Sequence, residues 1–335
     1  MTRREALEWL LGSALALPAC GGRAAGPAAA PRGAETKIEP LVDLAPAAGL
    51  SWLVDARPRE LLASPVLAPA VAVVVPAARF DRFAERNGGV DLRRIERLVV
   101  AGYPEATLLL ARVDFEPGRV EGAFAARAIA VEGRAIEAAG AITRFWGSVG
   151  ARREQVALFD HRAIGMEHGR FGPLRASEYF AQGKLHRALP ALRAEPLATA
   201  ERLAGDAPLR AFAPGPFDRE WAAGLGGLLR ATTAVAGTLV PLEPRAAGPA
   251  VAAGFVLTGA WGADAPAAAE RLLAAFRLLA DDPLGGLLGI DHPLEEPRVS
   301  GDAQALRLQV VLDPVVLARG LHAATDATIQ EIMAS

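Results

Sequence analysis

The sequence predicts an α+β fold, with antiparallel sheets and helices packed on one face of them. Apolar residues make up 52% of the 335 residues and charged residues 22%, a balance typical of chains that bury a core. Short β-like runs alternate with amphipathic helical runs, and some β-like runs follow one another directly. Such pairs are joined by hairpins, which favours antiparallel pairing over a parallel α/β sheet.

A proline stands between a β-like run and a helical run at six places. Proline suits the first helical position, because its missing N–H would be unpaired there anyway. The six are Pro76, Pro117, Pro173, Pro216, Pro266 and Pro314. Taken three and three, they are related by a nearly constant shift of about 140 residues. The pattern predicts a tandem duplication of a β-α-β-β-α-β-β-α unit, with halves over 38–193 and 194–335. Chance alignment among 25 prolines is the alternative.

Individual segments of the first half are predicted from residue type. Val71–Val75 is short and β-branched and is predicted as a strand that ends at Pro76. Further strands are expected at Arg94–Val100 and Ala135–Phe145.

The second half contains the clearest periodic patterns. Apolar residues alternate from Val251 to Trp261, as in a half-buried strand. Asp264–Ala280 has an apolar stripe at helical spacing, with Asp264 as a candidate cap. Two more strands are expected near Thr238–Leu242 and at Arg298–Gly301.

The first 19 residues have the regions of an export signal. Arg3 and Arg4 form a basic start, and an apolar run follows from Leu7 to Ala19, interrupted by Glu8. A membrane span needs roughly 20 apolar residues, so this run is too short to be one. The segment 1–19 is therefore predicted to be a signal peptide.

Leu17-Pro18-Ala19-Cys20 resembles the lipobox of bacterial lipoproteins. The resemblance implies that lipid is attached to the Cys20 thiol and that the chain is cleaved before it. It also implies anchoring to the inner or outer membrane of a bacterial cell envelope, with the body outside the cytoplasm. Thr2-Arg3-Arg4-Glu5-Ala6-Leu7 is similar to a twin-arginine export signal, although Ala6 replaces the usual Phe.

Residues 20–37 are expected to be the lipidated cysteine followed by a disordered tether. The segment is rich in Gly, Ala and Pro and has few large apolar side chains to bury. The membrane is thus the first predicted partner, through the N-terminal lipid.

Composition excludes some classes of function. The net charge of −2, without a long run of Lys or Arg, provides no basic surface for nucleic acid. The one cysteine cannot form an internal disulfide. No zinc, P-loop, dinucleotide or hydrolase motif is present, so no cofactor is predicted.

The best polar cluster lies around a predicted hairpin turn. His161, Glu167 and His168 are candidates for a metal or catalytic site, since two imidazoles and a carboxylate suit a borderline metal. A solvated polar turn is the alternative that the sequence favours. Asp291-His292, followed by Glu295-Glu296, is a second cluster of this kind.

Three tryptophans are candidates for lining an apolar pocket: Trp146, Trp221 and Trp261. Burial in an ordinary core is the simpler interpretation, because aromatic side chains dominate cores.

The leading functional hypothesis is a lipid-anchored envelope protein with a non-enzymatic binding or assembly role, with another envelope protein as partner. One alternative is a carrier or sensor of an apolar ligand, bound in a cleft between the halves near Leu185–Gly205. A metal-dependent or hydrolytic envelope enzyme using His161 and His168 is a further alternative.

Overall fold

A computed structural model describes residues 36–74, 77–137, 141–150, 152–170, 172–185, 187–217, 221–243, 248–320 and 322–323. The predicted export and lipidation residues Arg3, Arg4, Leu17, Ala19 and Cys20 lie outside these ranges, as does Pro76. Within the described ranges, no helix is both long enough and apolar enough to cross a membrane.

Twelve strands form one antiparallel sheet, which confirms the predicted α+β class. The spatial order is β11-β12-β10-β9-β8-β1-β2-β3-β7-β6-β5-β4. The strands are β1 Trp52–Ala56, β2 Arg97–Tyr103, β3 Ala106–Arg112, β4 Ala130–Glu137, β5 Ile142–Val149, β6 Arg152–Phe159, β7 Ala163–Gly169, β8 Leu209–Pro214, β9 Thr232–Pro241, β10 Val251–Gly259, β11 Arg298–Gly301 and β12 Ala305–Leu312.

Helices connect the strands at intervals. They are α1 Pro58–Ala63, α2 Ala68–Val74, α3 Ala77–Arg86, α4 Pro117–Arg127, α5 Pro173–Ala181, α6 Leu197–Ala204, α7 Ala265–Ala280 and α8 Pro283–Leu288, and residues 314–320 are also helical. Helices start at Pro117, Pro173 and Pro314, and Pro266 lies in the first turn of α7, so four of the six predicted junctions are confirmed. After Pro216, the first helical residues described are the 3₁₀ turns of Trp221–Arg230.

Two predicted strands in the first half were wrong. Val71–Val74 lies in α2, where the Val71 amide donates to the Leu67 carbonyl at 2.8 Å. Val66, Leu67 and Val71 pack into an apolar cluster with α7, and this tertiary contact outweighs β-branched propensity. The predicted strand Ala135–Phe145 covers parts of both β4 and β5, because alternation continues through a hairpin and does not locate its turn.

Helices cover both faces of the sheet, so the prediction of one covered face was wrong. Ala157 and Phe159 of β6 lie on what we call the front face, in one cluster with Leu174 of α5. Val156 lies on the back face, in a cluster with Phe124 of α4. On the back face of the second half, α7 packs against β10 and β12. Several central strands are apolar on both sides, and each side must be covered.

The two predicted halves meet in the middle of the sheet. β1 pairs with β8 in antiparallel register, with Leu53 opposite Phe212 and Asp55 opposite Arg210. In each half a strand is followed by helical turns, two strands, a helix, further strands and a last helix. The first half has an additional hairpin, β4–β5. This shared order agrees with a tandem duplication, which stays a prediction.

Candidate functional site

The predicted polar cluster is not brought together by the fold. His161 lies in the exposed turn between β6 and β7, where its ring stacks on Phe115 at 6.4 Å between centroids. Glu167 and His168 are neighbours on β7, and successive side chains of a strand point to opposite faces. Among the described residues, no group of three His, Cys, Asp or Glu side chains is arranged to hold a metal.

Glu167 is fully buried on the front face, at the start of α5. Its carboxylate accepts hydrogen bonds from the Gly172 and Leu174 amides, both at 2.8 Å, and from Gln155 Nε2 at 2.7 Å. Burial raises the pKa of the Glu167 carboxyl, and the three donors oppose that shift. The side chain therefore satisfies free amides at the start of the helix and holds α5 against β7.

His168 points to the back face, toward α4. Its Nδ1 lies 3.5 Å from a carboxylate oxygen of Glu154, whose other oxygen accepts a hydrogen bond from Arg127 at 2.9 Å. Burial lowers the pKa of His168, and the Glu154 charge opposes that shift. This group links β6 and β7 to the last turn of α4.

A second buried carboxylate lies further along α5. Glu178 is fully buried and pairs with Arg144 of β5 at 3.0 Å and with Arg175 of its own helix. Arg175 also binds Glu137 of β4. Burial raises the pKa of Glu178 despite the two neighbouring guanidinium groups. Two carboxylates and two guanidinium groups balance in charge and fasten α5 to the β4–β5 hairpin.

A third polar group joins the two halves. Asp55 of β1 accepts two hydrogen bonds from Arg97 of β2, at 2.7 and 2.6 Å, and two from Arg210 of β8, at 3.2 and 2.6 Å. Asp55 is 3% exposed. Charge-assisted bonds of this kind fix geometry, so the group sets the register of β8 against β1.

The predicted tryptophan pocket does not form from the side chains that the structure describes. Trp146 of β5 packs under the guanidinium of Arg144, 4.7 Å from its ring centroid. Trp261 is 6% exposed, packs with α7 and donates from Nε1 to the Leu257 carbonyl. The two lie in different halves. The side chain of Trp221 is outside the described part of the chain.

At the expected position of an inter-half cleft, the structure has packed elements. α6 lies on the front face, where its Leu197 and Ala200 share a core with Phe212 of β8. A shallow cavity of about 150 Å³ lies instead at the far edge, lined by Leu242, Glu295, Glu296, Arg298, Gln309 and Val311. The neighbouring His292 is exposed and pairs with Asp291 at 3.3 Å.

The β4 edge is the most distinctive exposed surface, and sequence reasoning missed it. β4 is the last strand of the sheet, so one side of its backbone has no neighbour among the described strands. Ile129, Val131 and Ile136 on and beside it are 76%, 52% and 56% exposed. Val131 and Ile136 share the back face, because their partners Gly147 and Thr143 are an even number of residues from each other on β5. The signal available in the sequence was the presence of large apolar residues in one short segment with the charged residues Glu132, Arg134 and Glu137.

Charged groups and a bulge shape the β4 edge. The register shifts between Val131 and Gly133, and Glu132 and Arg134 are held by Arg153 and Glu121. Bulges and charged side chains on an edge discourage open-ended pairing between identical sheets. An exposed edge with alternate apolar side chains also suits the addition of one extended partner segment. We call Ile129, Val131, Ile136 and this backbone the β4 edge surface.

No protein family, curated protein or solved structure was found to match the chain.

Proposed function

We propose that this protein is a lipid-anchored component of a bacterial cell envelope, with a non-enzymatic binding or assembly role at the membrane surface. The observation that carries the anchor is the sequence Leu17-Pro18-Ala19-Cys20 at the end of an export-signal pattern. The observation that favours binding over chemistry is structural. The buried candidates Glu167 and His168 join elements of the fold, and His161 lies in an exposed turn, whereas the β4 edge surface exposes apolar side chains and open backbone.

The anchor and the body are close enough to act together. Fifteen residues lie between Cys20 and Thr36, and fully extended this segment spans at most about 55 Å. A body held within this distance meets other envelope components at high effective concentration. A weak edge contact is then sufficient for assembly.

The partner that fits the β4 edge surface is an extended segment of another envelope protein. Main-chain hydrogen bonds to the open side of β4 would supply affinity, and Val131 and Ile136 would supply specificity through alternate side chains.

The anchor is tested by intact mass and fatty-acid labelling of the protein and of Cys20→Ser. We expect the wild-type protein to carry lipid at Cys20 and to stay with membranes after a salt wash. The variant should carry no lipid and be released. A Cys20→Ser protein that remains on washed membranes would contradict the anchor.

The binding surface is tested by site-specific photocrosslinking in cells. A crosslinker at Ile136 should give a discrete adduct with one envelope protein, and Val131→Asp should abolish it. The matched control site is Leu278, which is 74% exposed on α7 and should give no such adduct. Equal crosslinking at both sites would refute a specific role for the β4 edge.

A further inference from the structure

The described chain begins beside the C-terminal end of α5. The Lys37 amide donates to the carbonyl of Ala181, the last residue of that helix, at 2.9 Å. Thr36 and Ile38 on either side are buried, so this segment is packed against the body. The proposed lipid anchor therefore joins the body at a fixed place on the front face.

Positive charge collects at the same place. The chain has only two lysines, Lys37 and Lys184. The Lys184 amide donates to the Tyr179 carbonyl at 2.9 Å, so both lysines bond the last turn of α5. Arg187 follows in the next loop. All three are exposed, and none of the three forms an ion pair within the part of the chain that the structure describes.

Among the described residues, the acidic side chains closest in sequence to Lys37 and Lys184 already have ion-pair partners. Glu39 pairs with Arg112 on β3, and Glu178 is buried between Arg144 and Arg175. The same loop also exposes Leu189, which is 54% accessible. Lys37, Lys184 and Arg187, which we call the anchor-side cations, thus have no acidic partner among the described residues, and the exposed Leu189 lies in the same loop as Arg187.

We propose that the anchor-side cations are a membrane-contact surface that docks the body onto acidic phospholipid headgroups. The inference rests on the proposed lipid anchor, because a tether of at most about 55 Å keeps this surface near the bilayer. Each cation close to an acidic membrane contributes about a fivefold factor to binding. Docking would set which way the β4 edge surface faces.

The test uses the mature lipidated protein reconstituted in vesicles. One set contains equal parts of phosphatidylglycerol and phosphatidylcholine, and the other contains phosphatidylcholine alone. Hydrogen exchange of the amides at Lys37, 182–185 and 187–189 should slow on the acidic vesicles only. The protection should disappear near 1 M salt, where the Debye length falls to about 3 Å.

Two triple variants separate docking from general charge. Lys37→Ala, Lys184→Ala and Arg187→Ala together should lower the docking constant on the order of 100-fold and remove the protection. The control removes Arg79, Arg82 and Arg86, three exposed cations of α3, which packs on the back face through Phe83. That variant should keep the protection, and both variants should keep the wild-type unfolding midpoint.

Vesicle flotation distinguishes failure of the anchor from failure of docking. A protein that does not float with either vesicle refutes the lipid anchor. A protein that floats with both vesicles but shows no difference in exchange refutes the membrane-contact surface alone. Equal loss of protection in the two triple variants also overturns it, since net charge would then explain the binding.

Discussion

Two helices of this protein, α5 and α7, are held to the same sheet by different interactions. α5 is fastened by two fully buried carboxylates, Glu167 before its first turn and Glu178 near its end. α7 buries an apolar stripe that includes Leu272 and Phe276. The contribution of apolar packing to the free energy of unfolding does not depend on protonation, whereas the contribution of a buried carboxylate does. The comparison therefore predicts that the two halves respond differently to pH.

The largest expected effect on stability is at α7, the helix that is held by apolar packing. Phe276→Ala should lower the free energy of unfolding by about 3–5 kcal/mol, because it leaves a cavity between α7 and the sheet. Urea unfolding at acidic and neutral pH should give the same loss. The exposed neighbour Leu278 is the control, and Leu278→Ala should change stability by less than about 0.5 kcal/mol. If the loss of stability caused by Phe276→Ala depended strongly on pH, the contrast between α5 and α7 would be contradicted.

For the ion pairs that hold α5, Glu178→Ala should lower the free energy of unfolding by about 3 kcal/mol. Removal of this carboxylate leaves the partly buried Arg144 and Arg175 with Glu137 as their remaining shared partner, so two positive charges then face one negative charge. Urea unfolding measures the loss. Glu178→Gln keeps the shape and one acceptor and should cost less. If the alanine variant is as stable as wild type, the ion pairs do not hold α5.

Glu167 contributes to the pH dependence of the stability of α5. Because burial raises its folded-state pKa, the wild-type protein loses stability as pH rises from the ordinary value of 4.5 through the folded pKa. Glu167→Gln should cost about 2 kcal/mol at acidic pH. The difference in unfolding free energy between wild type and variant should be smaller at neutral pH, because there the wild-type protein is destabilised by burying a charge and the variant is not.

The measurement is the difference between the two unfolding free energies across that pH range. The exposed Glu85 supplies the control, and Glu85→Gln should give a difference that does not change with pH. A cost for Glu167→Gln that grows toward neutral pH would show that the carboxylate is favoured in its charged form.

The smallest effect is expected on the back face. Burial lowers the pKa of His168 in the folded protein below its ordinary value of 6.5. The contribution of His168 to stability is therefore complete above pH 6.5 and is lost as the pH falls toward the folded-state pKa. His168→Gln should reduce this acid sensitivity by about 1 kcal/mol. Unfolding free energies at neutral and acidic pH provide the check, with exposed His292 as the control position. If wild type and His168→Gln lose the same stability at acidic pH, His168 is not the cause of that loss.

Several elements could be predicted because their signals are local. β10 and α7 were predicted from periodicity, β11 was predicted with its observed bounds, and four of the six prolines lie at helix starts. The failures are also physical. Val71–Val74 is helical because Val66, Leu67 and Val71 pack into the cluster of α7, a contact between distant parts of the chain.

The candidate site was harder to predict than the fold. Glu167 and His168 are adjacent in sequence, and the sequence suggested that they act together with His161. Their side chains point to opposite faces of the sheet, where Glu167 accepts hydrogen bonds at the start of α5 and His168 lies beside Glu154. The β4 edge surface was missed because a strand pattern does not tell which strand lies last in a sheet.

The sequence by itself determined the apolar character of the body, the antiparallel α+β class, four helix starts that are marked by prolines and the lipobox resemblance at Cys20, because each depends on composition or on residues close along the chain. Only the tertiary structure decided that both faces are covered, that β1 and β8 join the halves, and that β4 forms an edge. The physical reason is that periodicity assigns side chains to faces, whereas pairing between distant strands decides what each face and each edge meets.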